Sequence, residues 1–232
     1  MYDVSNLDRD GNVIQQGGPV YKANAVFHTD SSFNDLPTKW SLLSGRQVPP
    51  EGGETQFIDT RAVWDQLPQA MKARAQGAVA LHNFWKSRSE AGMSNITDEM
   101  RRAMPPARQP MVRTSASGRT ALVIGSHAES IEGWPDDQAR AFLREINAFA
   151  AQPPFVYTHR WRNGDLVIWD NRCTLHRAPE FSSKYVRDMR RTTINESGPE
   201  AGLDRSVPGA RRRRSGRRRG SLVDCRAKIV LL

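Results

Sequence analysis

What most constrains this chain is a series of short apolar runs, each four or five residues long and each closed off by turn-forming or charged residues. They lie at Lys39–Leu43, Thr55–Ile58, Ala121–Ile124, Phe155–His159, Leu166–Trp169 and Arg191–Ile194. Several such runs with Pro and Gly between them predict an antiparallel sheet or a barrel. Two segments break the pattern. Thr60–Gln69 predicts a short helix that Pro68 limits, and Pro135–Ala151 predicts a longer one. In the latter, Ala139, Phe142, Leu143, Ile146 and Phe149 recur at three- and four-residue steps. The polar, Pro-broken stretch Lys86–Gln109 reads as a mobile insertion or lid. Turn signals at Asp10-Gly11 and Gly17-Gly18-Pro19 make the first 20 residues a hairpin or a loose lead-in.

A length of 232 residues allows one domain with an appendage. The net charge of +9 is unevenly spread: residues 204–232 hold ten Lys/Arg and two acids, which account for +8 of it. Residues 198–220 are low-complexity Gly/Pro/Arg sequence and are expected to be disordered, and Ala227–Leu232 is too short to predict an element. The expected division is a folded domain over 1–197 and an Arg-rich tail over 198–232. The Arg run has no interleaved aromatics and no nucleic-acid-binding fold motif, so nucleic acid is not an expected partner. No apolar run approaches the roughly 18 residues of a helical membrane span, and Met1 to Asn12 does not read as a signal peptide. Two distant cysteines, Cys173 and Cys225, make no disulfide framework, and a cytoplasmic location is the expectation.

Five histidines are present, two of them in suggestive settings. Side chains two apart in a strand share a face, so His28 and Asp30 in Phe27-His28-Thr29-Asp30 would project together. His176 follows the apolar run Leu166–Trp169 and a polar turn. Two histidines and one carboxylate with open positions opposite them form the facial triad of non-haem Fe(II) oxygenases. His-x-Asp alone occurs by chance in many proteins, so the flanking residues decide. His82 and His159 read as packing or strand-surface residues, and Trp64, Trp85, Trp134, Trp161 and Trp169 as core or lid. Cys173 reads as a small buried apolar residue.

The flanks are specific. One block is Phe27-His28-Thr29-Asp30-Ser31-Ser32-Phe33, followed by Ser41-Leu42-Leu43 and by Val48-Pro49-Pro50-Glu51-Gly52-Gly53-Glu54-Thr55-Gln56-Phe57. The other is Gly164-Asp165-Leu166-Val167-Ile168-Trp169-Asp170-Asn171-Arg172 with His176, then Val186-Arg187-Asp188-Met189-Arg190-Arg191-Thr192-Thr193. Through most of residues 24–195 the chain resembles the taurine/2,4-dichlorophenoxyacetate dioxygenase family, and within it the aryloxyalkanoate-degrading branch.

The resemblance implies a mainly β fold with helices around a double-stranded β-helix (jelly-roll) core, with Fe(II) as cofactor and 2-oxoglutarate and O2 as co-substrates. It implies His28, Asp30 and His176 as metal ligands, and Thr55 and Arg187 on the distal carboxylate of 2-oxoglutarate. Arg191, with the facing parity of Arg187, is implied as a contact for the substrate's anionic group, and His127 as a second substrate contact. A planar, permanently charged guanidinium suits a buried carboxylate. The implied reaction is hydroxylation of a small anionic organic molecule such as a 2,4-dichlorophenoxyacetate-like aryloxyalkanoate, giving succinate, CO2 and a cleaved ether product. Beside it stand a taurine- or alkyl-sulfate-type dioxygenase and a catalytically weak or inactive paralogue of the same fold. Family chains carry more than the 27 residues found here before His28, so the chain is expected to be N-terminally short, and unpaired barrel edges leave self-association open.

Overall fold

The structure, a computed structural model, describes residues 2–14, 18–196 and 229–231. The short apolar runs pair into two facing sheets. The larger has the order β1 (Tyr2–Ser5), β12 (Asp188–Asn195), β2 (Thr38–Gln47), β10 (Leu166–Asp170), β13 (Ile229–Leu231). The smaller has the order β11 (Thr174–Arg177), β3 (Thr55–Asp59), β9 (Val156–His159). All these pairings are antiparallel except β10 with β13. Leu43, Phe57, Trp161, Val167, Trp169 and Met189 fill the space between the sheets. The architecture is mainly β with helices, and the two facing sheets are a jelly-roll core.

Alternation along the strands explains why the interior divides in two. In β3 and β11 the register sets Phe57 opposite His176 and Ile58 opposite Leu175. Successive side chains point to opposite faces. Phe57 and His176 therefore look into the jelly roll, while Ile58 and Leu175 look outward into a second apolar core. That second core is covered by α2 (Thr60–Gln66), α3 (Gln69–Ala75) and α6 (Asp136–Ala150), and by a sheet of order β5 (Ala107–Pro110), β4 (Val79–His82), β8 (Ala128–Ile131). β6 (Val112–Thr114) and β7 (Thr120–Leu122) form a separate hairpin. In α6, Ala139, Phe142, Leu143, Ile146 and Ala150 are buried, and Asp136 and Asp137 in the first turn favour the positive end of the helix dipole.

Three expectations are revised. Thr60–Gln69 is not one helix. Leu67 takes extended angles (φ −62°, ψ 135°), as the residue before a proline prefers, and Pro68 then precedes the new helix α3. The segment read as a lid holds α4 (Phe84–Glu90) and α5 (Asp98–Ala103), each capped by a side chain, Asn83 and Thr97 respectively. Ala227–Leu232, expected to form no element, supplies β13, which lies parallel to Leu166–Ile168 and adds Val230 to the inner core. In the N-terminal segment, β1 pairs with β12, Leu7 bridges Val13, and α1 (Pro19–Asn24) follows. Most of the Arg-rich tail, and with it the expectation of disorder over 198–220, lies outside the described residues. No helix among the described residues is long and apolar enough to cross a membrane.

Phe142 is fully buried, stacks on Trp134 at 5.5 Å between centroids, and carries the Arg74 guanidinium 4.1 Å above its ring. Phe142→Ala is expected to destabilise the protein by about 3–5 kcal/mol in urea unfolding, whereas Arg144→Ala on the exposed face of α6 should stay within about 0.5 kcal/mol.

Candidate metal centre

The site begins with main chain. His28 N–H donates to the His176 carbonyl (3.0 Å) and His176 N–H donates to the His28 carbonyl (2.8 Å). This single antiparallel bridge ties the loop before β2 to β11 and brings the two imidazoles to 4.3 Å between centroids. Asp30 is not on the same strand as His28, as the spacing had predicted. It lies in a turn held by Asn171, whose Oδ1 accepts from the Asp30 N–H (3.1 Å) and whose carbonyl accepts from the Thr29 hydroxyl (2.7 Å). The next residue, Ser31, has φ +55°, a left-handed conformation that turns the chain back sharply.

The turn still delivers the carboxylate. Asp30 Oδ1 lies 3.9 Å from His28 Nε2 and 3.6 Å from His176 Nε2, and one donor atom from each of the three buried residues lies within 4.8 Å of the others. The second carboxylate oxygen is occupied: Ser41 Oγ donates to Oδ2 (2.6 Å), and the Arg191 guanidinium forms an ion pair with it. Asn171 Nδ2 donates in turn to Ser41 Oγ (2.9 Å). Asp30 is thus oriented to offer one oxygen to a cation. His28 Nδ1 is 2.8 Å from the Val26 carbonyl, so that nitrogen carries the proton and Nε2 keeps its lone pair.

Protonation states match this donor set. Burial lowers the pKa of His28 despite the opposing pull of Asp30, and brings that of His176 down to about 3, so both rings are neutral. Burial alone would raise the pKa of Asp30. His176, Arg191, His28 and the Ser41 hydrogen bond together reverse this and hold it well below the usual carboxylate range. Two neutral imidazoles and one carboxylate form a donor set that fits Fe(II). Gly125 packs behind His28 at φ +117°, where an added Cβ would stand 3.2 Å from the His28 Cα and from the Phe27 carbonyl.

Two cavities open on this cluster. The smaller, about 50 Å³, is lined by His28, Thr55, His176, Arg187 and Arg191 among others. Thr55 Oγ1 accepts from Trp161 Nε1 (3.0 Å), which leaves its own proton to donate. Arg187 is 6% exposed and its Nε donates to the Gly53 carbonyl (3.0 Å). Burial pulls its pKa down to about 10, with only the Tyr21 phenol opposing. The larger cavity, about 210 Å³, is lined by His28, Asp30, Phe33, Arg88, His127 and Arg191 among others. The His127 ring stands 4.9 Å from Phe33, and its pKa lies well below the ordinary value because of burial, with the neighbouring His28 adding to the effect.

The structure therefore brings together His28, Asp30, His176, Thr55, Arg187, Arg191 and His127, although Arg191 is partly committed to Asp30. His82 and His159 are both buried rather than on a strand surface. His82 Nδ1 lies 2.9 Å from Ser32 Oγ, and His159 Nε2 lies 3.2 Å from Asp165. Cys173 is buried away from the cluster, beside a different cavity. The sequence reading missed Ser41, Asn171 and Arg88. Asn171 and Ser41 stood inside the blocks that carry the resemblance, which was a usable signal, but Arg88 had none.

Fold and cluster together define a jelly-roll protein with a two-histidine, one-carboxylate centre. Residues 1–193 match the family model described as "Taurine catabolism dioxygenase TauD, TfdA family", and the chain belongs to that family. It is 43% identical over 195 residues to an alpha-ketoglutarate-dependent 2,4-dichlorophenoxyacetate dioxygenase of Cupriavidus pinatubonensis, covering 82% of this chain and 68% of that protein. It is 32% identical over 206 residues to an (S)-phenoxypropionate/alpha-ketoglutarate-dioxygenase of Sphingobium herbicidovorans, covering 84% and 72%. A crystal structure of AAD-2 in complex with Mn(II) and N-oxalylglycine superposes with a TM-score of 0.80 at 40% identity, covering 85% of this chain and 74% of that one. The chain thus spans about two thirds to three quarters of the length of these relatives.

Two outcomes follow from the polar network and from burial. Ser41→Ala leaves Asp30 Oδ2 without its hydroxyl donor, and calorimetry should show Mn(II) affinity falling about 10- to 100-fold with the far-ultraviolet circular dichroism unchanged. His82 is fully buried, and burial, then Lys86, lowers its pKa from 6.5 to about 4. The unfolded chain binds that proton more readily, so the stability is complete above pH 6.5 and is lost as pH falls towards 4. Urea unfolding of the metal-free protein should show about 2 kcal/mol less stability at pH 5 than at pH 7 from His82 alone.

Proposed function

We propose that this chain is an Fe(II)- and 2-oxoglutarate-dependent dioxygenase acting on aryloxyalkanoates. The observation that carries the reading is the cluster of two neutral histidines and one singly available carboxylate oxygen beside a buried, acid-free Arg187. His28, Asp30 and His176 would hold the metal. Thr55 donates its hydroxyl proton, and Arg187 its guanidinium fork, to the distal carboxylate of 2-oxoglutarate. Bidentate pairing with a buried carboxylate offsets the desolvation that Arg187 carries. Arg191 and Ser41 occupy Oδ2 of Asp30, so that only Oδ1 would be offered to the metal. The likeness to dioxygenases of 2,4-dichlorophenoxyacetate and phenoxypropionate supports an aryloxyalkanoate as substrate.

When bound, Fe(II) supplies the activation of O2 that allows a C–H bond to be hydroxylated at the expense of 2-oxoglutarate. The balance is substrate, 2-oxoglutarate and O2 to hydroxylated substrate, succinate and CO2. For an aryloxyacetate the hydroxyl enters at the carbon bonded to the ether oxygen, and the resulting hemiacetal breaks down to a phenol and glyoxylate. The chain's own residues bind and orient. Arg187 and Thr55 fix one end of the keto acid, Phe33 and His127 line the wall available to an aryl ring, and Trp169 and Phe57 keep the floor beneath His176 apolar. His127 serves as a neutral substrate contact rather than as a charge. A cytoplasmic site of action fits the small anionic co-substrate.

Anaerobic addition of Fe(II) and 2-oxoglutarate to the full chain should produce the weak visible charge-transfer band of a chelated keto acid. His176→Ala should abolish it. On admitting O2 with phenoxyacetate, succinate and phenol should appear in equal amounts. A band that persists in His176→Ala, or keto-acid turnover that no aryloxyalkanoate stimulates, overturns the reading.

A further inference from the structure

Among the described residues, two arginines have a buried side-chain nitrogen without a hydrogen-bond partner: Arg88 at Nη1 and Arg191 at Nε. Both line the cavity of about 210 Å³ that also contains His28 and Asp30. A second cavity of about 430 Å³ makes the contrast. It is lined by Arg61, Arg113, Arg119 and Arg172, and each of these is ion-paired, with Asp59, Glu196, Asp65 and Asp170 respectively. Among the described residues, the arginines with a buried nitrogen that lacks a partner thus both stand at the candidate centre.

Arg88 is the less committed of the two. Arg191 already spends Nη2 on Asp30 Oδ2. Arg88 sits in the last turn of α4 with its guanidinium carbon 4.7 Å from the Phe84 ring centroid, so one face is covered by an aromatic. Burial lowers its pKa. A half-buried cation whose donor lacks an acceptor costs free energy unless an anion arrives. The position is also well fixed. Asn83 caps α4 through the Trp85 N–H (2.9 Å) and donates to Glu129 (2.8 Å), and Ser87 Oγ donates to the Phe84 carbonyl (2.9 Å). Phe33, in edge contact with both Phe84 and His127, lines the same cavity and offers an aromatic surface.

We propose that Arg88 is the anchor for the substrate carboxylate, with the free Nε of Arg191 as a second donor; this rests on the aryloxyalkanoate reading above. The reacting carbon of an aryloxyacetate is bonded directly to the carboxylate carbon. Whichever residue holds the carboxylate therefore sets where the C–H bond lies relative to His28 and Asp30. Arg191 is then a positioning residue for Asp30 first and a substrate contact second.

The test uses the full chain loaded with Mn(II) and N-oxalylglycine, titrated calorimetrically with phenoxyacetate and with its neutral counterpart phenoxyethanol. Arg88→Gln should weaken phenoxyacetate about 10- to 100-fold, the loss expected for a charge-assisted pair, and leave phenoxyethanol within about twofold. Arg88→Lys should recover part of the loss, because it keeps the charge but not the fork. The visible band with Fe(II) and 2-oxoglutarate should persist in both variants. Equal affinity of Arg88→Gln and wild type for phenoxyacetate overturns the inference, as does a parallel loss for both ligands or loss of the band. Should Arg88→Gln not fold, Arg88→Lys decides: selective weakening of phenoxyacetate supports the anchor, and unchanged affinity overturns it. A wild-type chain without the band overturns the functional reading itself. A wild-type chain with the band and tight phenoxyacetate binding, matched by Arg88→Gln, overturns the anchor alone.

Discussion

Two hydrogen bonds between the main chains of His28 and His176 carry the rest of the site. They join segments that are 148 residues apart in sequence, and they do so through backbone atoms, so the pairing does not depend on what the imidazoles hold. The bridge continues the logic of the smaller sheet: β3 lies on one side of β11 and the His28 segment on the other. Because β11 points Leu175 into the outer core and His176 into the jelly roll, any slip of register by one residue would exchange an apolar side chain for a ligand. The outer core, with α6 packed across it, is therefore what keeps the inner cluster in phase.

Charge is arranged around that bridge with a consistent sign. The imidazoles are kept neutral by burial, and the carboxylate is kept ionised by Arg191, Ser41 and the histidines around it. Arg187 on one side and Arg88 on the other are cations without acids of their own. Two separate anion-receptive positions flank one cation-receptive position. This suits a reaction in which a dicarboxylate and a carboxylate must be held beside a metal at the same time, each from its own direction.

Much of this was legible in the sequence. The apolar runs gave the strands, and the three- and four-residue steps after Trp134 gave α6 nearly to its ends. The three metal-binding candidates could be read because their neighbours are as distinctive as they are. What stayed hidden has physical reasons. His-x-Asp suggests one strand, but Asn171 reaches across from another part of the chain and converts the stretch into a turn with Ser31 left-handed. Ser41 lies within an apolar run and looks like an ordinary strand residue until its hydroxyl is seen on Asp30. Arg88 stands in a polar segment where a cation is unremarkable, and only its burial without a partner distinguishes it. Ile229–Leu231 has no pattern of its own, and its pairing comes from the open edge of β10.

Gly125 gives the site an unusual boundary. It donates no ligand and lines neither cavity at the candidate centre, yet its bare Cα face is pressed against the His28 main chain and the Phe27 carbonyl, and its φ of +117° disfavours any side chain. The space a methyl group would need is the space that keeps the bridge to His176 closed. A side chain at this position is therefore strained by its backbone conformation and crowded by the segment that carries a ligand. Polar residues around the cavities have room to change what is accepted, whereas a methyl group behind His28 would press on the very segment that presents a ligand.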